Sequence, residues 1–315
     1  MKILYSAISA GALAARSLSD RSCGSQGLSS HQFDITLEAD VTGAPTWVQY
    51  IEPNKLFAVN KNGNDLHILN VECGSTYSLT PAINATGSSG VVHLGFNKDN
   101  TRLVSAAYGN GTVDVWDISS DRLKLIKTIP APGNPGPRSP NQDASHPHQA
   151  NLDPSGGYFA INDLGIDNIM ILDTQDDNYS AAGVTVHQSQ IISSFISGTA
   201  PKGAAAGGIV LHPNQKDLYI TNRLTGGKSD TLAHFKIDSG FLTPGKENPT
   251  GGILPRMLSI SKSGKEILLG NQNGPAAAVA FGINEDGSID ATPKATLDLS
   301  VFGEKGSGPP YIAEI

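Results

Sequence analysis

The chain has 315 residues, 38% of them hydrophobic and 16% charged, with a formal net charge of −7. That balance excludes a nucleic-acid partner, which needs a basic stripe to displace counterions, and leaves enough apolar residues for a large core. Its 35 Gly and 19 Pro imply many tight turns, the profile of an all-β protein.

The first 15 residues carry one positive charge ahead of an apolar run that closes on Ala12-Leu13-Ala14. This is the pattern of a secretory signal, so 1–15 are read as a leader and 16–315 as one mature, extracellular domain. Cys23 and Cys73 are the two cysteines. In an oxidising compartment they can close a loop worth about 4 kcal/mol, with two free thiols as the alternative. Asn84, Asn110 and Asn178 each open an Asn-x-Ser/Thr sequon, a glycosylation signal in a secreted chain. No later apolar stretch reaches membrane-spanning length, so no membrane partner is expected.

From residue 47 onward one pattern of strand, turn, strand, turn, strand recurs, at 47–71, 92–118, 149–173, 209–237 and 257–283. The second strand ends in comparable places: Val59-Asn60, Ala107-Tyr108, Asn162-Asp163, Thr221-Asn222 and Gly270-Asn271. An all-strand period of about 50 residues predicts a β-propeller of four-stranded blades, with segments such as 123–128 supplying the outer strands. The chain ends, 33–38 with 295–299 and 311–315, are expected to pair into a sixth, closing blade. Gly/Pro-rich stretches at 131–140 and 198–207 are read as loops, and a monomer is expected.

The strand ends collect Lys61, His93, Tyr108, His146, His148, Asp163, Arg223, Arg256 and Gln272. On an acidic chain this set predicts a locally cationic rim suited to a small anionic ligand. His146 and His148 are two apart and would share a face, but Pro147 separates them and no further ligand set accompanies them, so no metal or other cofactor is expected. Gly-x-Ser-x-Gly is absent. Gly226-Gly-Lys-Ser229 has Asn222 where a phosphate loop needs its first glycine, so it reads as a solvated loop.

His146-Pro-His-Gln149, Asp153-Pro-Ser-Gly156, Asn162-Asp-Leu-Gly165, Leu218-Tyr-Ile-Thr-Asn-Arg223, Leu254-Pro-Arg256 and Gly270-Asn-Gln-Asn273 together resemble the lactonase propeller family. That family includes seven-bladed 6-phosphogluconolactonases, fungal carboxy-muconate cyclases and secreted fungal relatives. One departure stands out. The family has a further blade between the His-Pro-His blade and the Thr-Asn-Arg blade, and the interval from Asp173 to Ile209 is too short to hold it. The expectation is therefore six blades with one missing, and with it the arginine and glutamate that this blade supplies.

The resemblance implies His148 as general acid/base and Arg223 as electrostatic stabiliser of a lactone-opening reaction, roles that suit their chemistry. His93, Asp163, Arg256 and Gln272 are expected to bind the substrate, an anionic sugar-acid or muconate-type lactone. The alternative is a catalytically degenerate binding propeller or a scaffold. For the scaffold, Gly111-Thr-Val-Asp-Val-Trp-Asp117 is the one suggestive stretch.

Overall fold

The computed structural model describes residues 2–6, 12–17, 34–40, 43–73, 77–131, 133–136, 142–181, 190, 192–303 and 308–314. Apart from two short 3₁₀ turns, every regular element among them is a β-strand. The chain divides into two compact units, residues 41–72 with 78–187 and residues 1–40 with 73–77 and 188–315.

Three strands lie near the N-terminus, β1 (Lys2–Ser6), β2 (Ala12–Ser17) and β3 (Asp34–Asp40). Three blades follow. The first is β4 (Val48–Ile51), β5 (Lys55–Val59), β6 (Asp65–Cys73) and β7 (Tyr77–Thr86). The second is β8 (Val91–Phe96), β9 (Arg102–Ala107), β10 (Thr112–Asp117) and β11 (Lys124–Pro130). The third is β12 (Pro147–Leu152), β13 (Tyr158–Asp163), β14 (Asn168–Asp173) and the two-residue β15 (Ser180–Ala181). Two more blades belong to the other unit: β16 (Ala205–Leu211), β17 (Asp217–Arg223), β18 (Thr231–Asp238) and β19 (Phe241–Pro249), then β20 (Ile253–Ile260), β21 (Glu266–Asn273), β22 (Ala276–Gly282) and β23 (Ala295–Asp298). β24 (Tyr311–Glu314) ends the described chain.

Among the described residues the expected count of six blades is corrected to five, each of four consecutive strands. The expected closing blade is also built differently. The segment at 295–299 is not part of it, because β23 pairs with β22 as the outer strand of the fifth blade. β24 instead joins a separate four-stranded sheet of order β24-β1-β2-β3, in which strands from the expected leader lie between the two chain ends. Between 182 and 204 no described residue is in a strand. Part of this interval is held to the outer strand of the fourth blade: Gln190 exchanges two hydrogen bonds with the Leu242 backbone, and Ser197 donates to Glu247 at 2.6 Å.

Blades stack because their middle strands are apolar on both faces, so each must cover the next. Between the second and third blades lie Val104, Val113, Val115, Phe159, Ile161 and Leu172, all fully buried. Between the fourth and fifth, Tyr219, Leu232, Ile267, Leu269 and Val279 do the same. Phe159→Ala should lower stability by about 3–5 kcal/mol, the usual cost of emptying a buried aromatic site. Ile126→Ala, at a side chain 43% exposed on β11, should stay within about 0.5 kcal/mol. Urea unfolding of both variants checks the pair, and equal losses would show that the inter-blade layer does not dominate.

Candidate functional site

In the first unit the end of β13 is organised by Asp163, which is 5% exposed. One carboxylate oxygen accepts the backbone N–H groups of His146 at 2.8 Å, Gly165 at 2.9 Å and Ile166 at 3.3 Å, while the other accepts the Ser145 hydroxyl. Several donors are what a buried carboxylate needs to offset its lost hydration. The turn requires Gly165, because a Cβ there would lie 1.7 Å from the Ala144 carbonyl oxygen. Asp163, expected to bind substrate, is thus committed to its own loop.

That loop leads directly into β12, where Pro147 pairs with Asp163 and Gln149 with Asn162. His148 is the extra residue of a β-bulge, and such bulges re-aim a side chain out of the ladder. His148 is exposed, with its ring edge-on to Tyr108 at 6.0 Å between centroids.

His146 stacks on the same tyrosine at 4.2 Å. Its Nδ1 faces the Tyr108 carbonyl and its Nε2 faces an Asp143 oxygen, each at 2.9 Å. Both partners are acceptors, so the ring satisfies them only as an imidazolium. Burial opposes the charge, but the Tyr108 carbonyl and then Asp143 outweigh it and hold the ring above its ordinary 6.5. With both nitrogens engaged, His146 does not complete a chelating pair with His148.

His93, on β8, is buried at 7% exposure, with its ring centroid 4.0 Å from that of Trp47. Its Nδ1 accepts the Ala150 N–H at 3.3 Å. Burial, and next the neighbouring His148, push it down to about 3. A histidine expected to hold an anion is therefore neutral and attached to a backbone amide.

In the second unit Arg223 ends β17 and Arg256 sits at a bulge in β20, since Pro255 pairs with Asn271 and Met257 with Gly270. The bulge device that presents His148 thus presents Arg256 as well. Burial, followed by the like charge of Arg223, lowers the Arg256 guanidinium below its usual range. Neither arginine forms an ion pair with a carboxylate among the described residues, and the buried Nε of Arg223 has no hydrogen-bond partner there. Gly207 makes room beside them, because a Cβ there would meet Thr221 Oγ1 at 2.4 Å, the Pro255 carbonyl at 2.5 Å and Arg223 Cγ at 3.1 Å. Gln272 lies between Asn271 and Asn273 at the end of β21, its carbonyl accepting the Gly308 N–H.

A residue not anticipated from sequence ties these strands together. Asp230, 2% exposed, accepts the N–H groups of Leu224 at 3.3 Å, Thr225 at 2.9 Å and Leu254 at 2.7 Å. It links the loop after Arg223 to the strand that carries Arg256. An Asp at a strand start reads in sequence as a turn former, and nothing there separates a clamp from a turn.

Cys23 lies outside the described residues, and so does its expected pairing with Cys73. Asn84, Asn110 and Asn178 are all exposed, as a glycan acceptor must be.

The family model "Lactonase, 7-bladed beta-propeller" matches residues 25–187 and 178–297, so the chain belongs to the lactonase family of seven-bladed β-propellers. A relative from Arthroderma benhamiae named as a probable 6-phosphogluconolactonase is 25% identical over 85% of this chain and 81% of its own length. A Bacteroides fragilis crystal structure shares the fold with a TM-score of 0.76 at 19% identity, over 99% of this chain and 96% of the other. The periplasmic gluconolactonase of Pseudomonas aeruginosa does so with a TM-score of 0.72 at 16% identity, over 99% and 98%.

A histidine whose pKa is raised on folding adds stability that is full below its unfolded value of 6.5 and is lost as pH rises through the folded value. The stability difference between wild type and His146→Phe, which keeps a ring against Tyr108, should therefore be largest below that pH and shrink above it. Thermal midpoints of both proteins between about pH 5 and 9 measure it. A difference that does not change with pH would reject a charged His146.

Proposed function

We propose that the protein is a lactone hydrolase acting on a small anionic lactone of the sugar-acid type. The observation that carries this reading is the Arg223–Arg256 pair: two half-buried like charges near enough to oppose each other, with no carboxylate ion-paired to either among the described residues, favour an anionic ligand. Family membership and the name of the Arthroderma relative support the choice of a lactone.

In this reaction His148 takes a proton from water as its oxygen attacks the lactone carbonyl. The chemistry of the second unit's arginines suits the other two roles that such a reaction needs, Arg223 to stabilise the charge that develops on the carbonyl oxygen and Arg256 to hold the carboxylate or phosphate substituent. Collapse of the tetrahedral intermediate breaks the ring acyl C–O bond. His148 then returns its proton to the leaving alkoxide, giving a hydroxy acid. Exposure of His148 on its bulge supports this role, since a general base must meet water.

Opening of 6-phosphogluconolactone, followed by base titration, tests the assignment. His148→Ala should lower kcat by about 10²- to 10⁴-fold, and Arg223→Ala by about 10²- to 10³-fold. Arg256→Ala should act mainly on KM, because it removes binding common to substrate and transition state. If folded wild type opens no lactone yet binds 6-phosphogluconate, the protein is a binding propeller and the hydrolase reading fails.

A further inference from the structure

We propose that His93 is a positioning residue for His148, acting through the backbone of β12; this rests on the reading of His148 as the general acid/base. β12 is the edge strand of its blade. β12 pairs with β13 on one side, and Ala150 lies opposite Ile161 in that ladder. The Ala150 N–H does not enter the ladder at this point; it turns toward β8 and donates to His93 Nδ1 at 3.3 Å. Ala150 is 1% exposed, so without His93 this donor would be buried with no acceptor.

The Ala150 carbonyl faces β8 too. A Cβ on Gly95 would lie 2.6 Å from that oxygen, so the bare Cα of Gly95 lets the two strands approach. Both polar groups of Ala150 are therefore turned toward the second blade, two residues beyond the bulge. The ring that accepts the amide has little freedom of its own, with Trp47 against it at 4.0 Å between centroids. Bonding through Nδ1 places its proton on Nε2.

A bulged residue stands outside the ladder, so the residues on either side help to set its direction. On the N-terminal side of His148 these are Pro147, paired with Asp163, and His146, whose N–H is held by the same aspartate. On the C-terminal side Gln149 is paired with Asn162, and Ala150 beyond it is held toward β8 by His93. Catalytic geometry is sensitive to such support, because a displacement of about 1 Å can cost roughly 100-fold in rate.

The test uses His93→Asn, whose side-chain oxygen replaces the Nδ1 acceptor, and His93→Leu, which fills space without one. His93→Leu should lower kcat on 6-phosphogluconolactone by about 10- to 100-fold with KM nearly unchanged, and His93→Asn should recover most of that loss. Two readouts do not depend on turnover. Hydrogen exchange of the Ala150 amide should accelerate in His93→Leu but not in His93→Asn, and the NMR shifts of the His148 ring should move only in His93→Leu. If His93→Leu does not fold, His93→Phe, which keeps a ring beside Trp47, carries the same expectations. Wild-type kcat in His93→Leu alongside an inactive His148→Ala would overturn the positioning role and leave the hydrolase reading intact. Equal losses in the Asn and Leu variants would overturn it too, because the acceptor would then not matter. Should His148→Ala itself be fully active, the reading of His148 fails, and unchanged Ala150 exchange and His148 shifts in His93→Leu would separately overturn the structural part.

Discussion

The buried polar groups at the blade ends constrain everything that the strands present there. A meander of short strands leaves backbone N–H groups in every connecting loop, and a loop pulled under its neighbours cannot leave them to water. The chain meets this demand with at least one buried acid or amide in each blade. Asp114, fully buried, takes the N–H and hydroxyl of Ser88 and the hydroxyl of Thr128. Asn60 takes the N–H groups of Ala44 and Asn62, Asn271 donates to the carbonyls of Thr250 and Ala276, and Asp163 and Asp230 act in their own blades. Each would be costly alone and is stable because several partners converge on it. Their effect is to hold the chain still at the places where the inner strands begin.

Where an inner strand is held at both sides of a bulge, the bulged residue is delivered to a fixed place without being used in the ladder. β8, β12 and β20 all carry such a bulge, with Val92, His148 and Arg256 as the extra residue. Val92 is 8% exposed and packs, whereas His148 is exposed and Arg256 half-buried beside a like charge. The backbone device is common to the repeat; the chemistry comes from the side chain placed on it. In β16 the corresponding irregularity falls between Ala206 and Ile209, across Gly207 and Gly208, and serves by leaving room, since Arg223 passes over Gly207.

The repeat was legible in the sequence because a strand buried on both faces leaves an apolar run bounded by turn formers, a signal contained within about ten residues. The assignment of the last strands was not. β23 is only Ala295–Asp298, and whether so short an edge segment adds to β22 or to a terminal sheet depends on partners far away in sequence. The candidate site divides in the same way. Residue types and their places at strand ends were readable, and His148, Arg223 and Arg256 lie there. Burial was not readable: His93 and Asp163 have the chemistry of ligand-binding groups and yet are consumed by backbone amides. Asp230 went unseen because its partners come from either side of it, at Leu224 and at Leu254.

Three histidines of one unit lie within reach of Tyr108 or of one another, and two of them have opposite electrostatic settings. His93, enclosed and bonded through Nδ1 to an amide, is kept neutral. His146, with an acceptor at each nitrogen, is kept charged. Neither can cycle a proton without breaking a bond that supports the loop or the strand, and so neither is suited to acid/base chemistry. His148 differs from both, with its ring exposed on the bulge and set edge-on to the aromatic face of Tyr108. Separating titratable neighbours by environment is how one residue among several chemically identical ones is singled out for proton transfer. The two structural histidines are committed to backbone and loop, and in the proposed reaction it is the third that moves the proton.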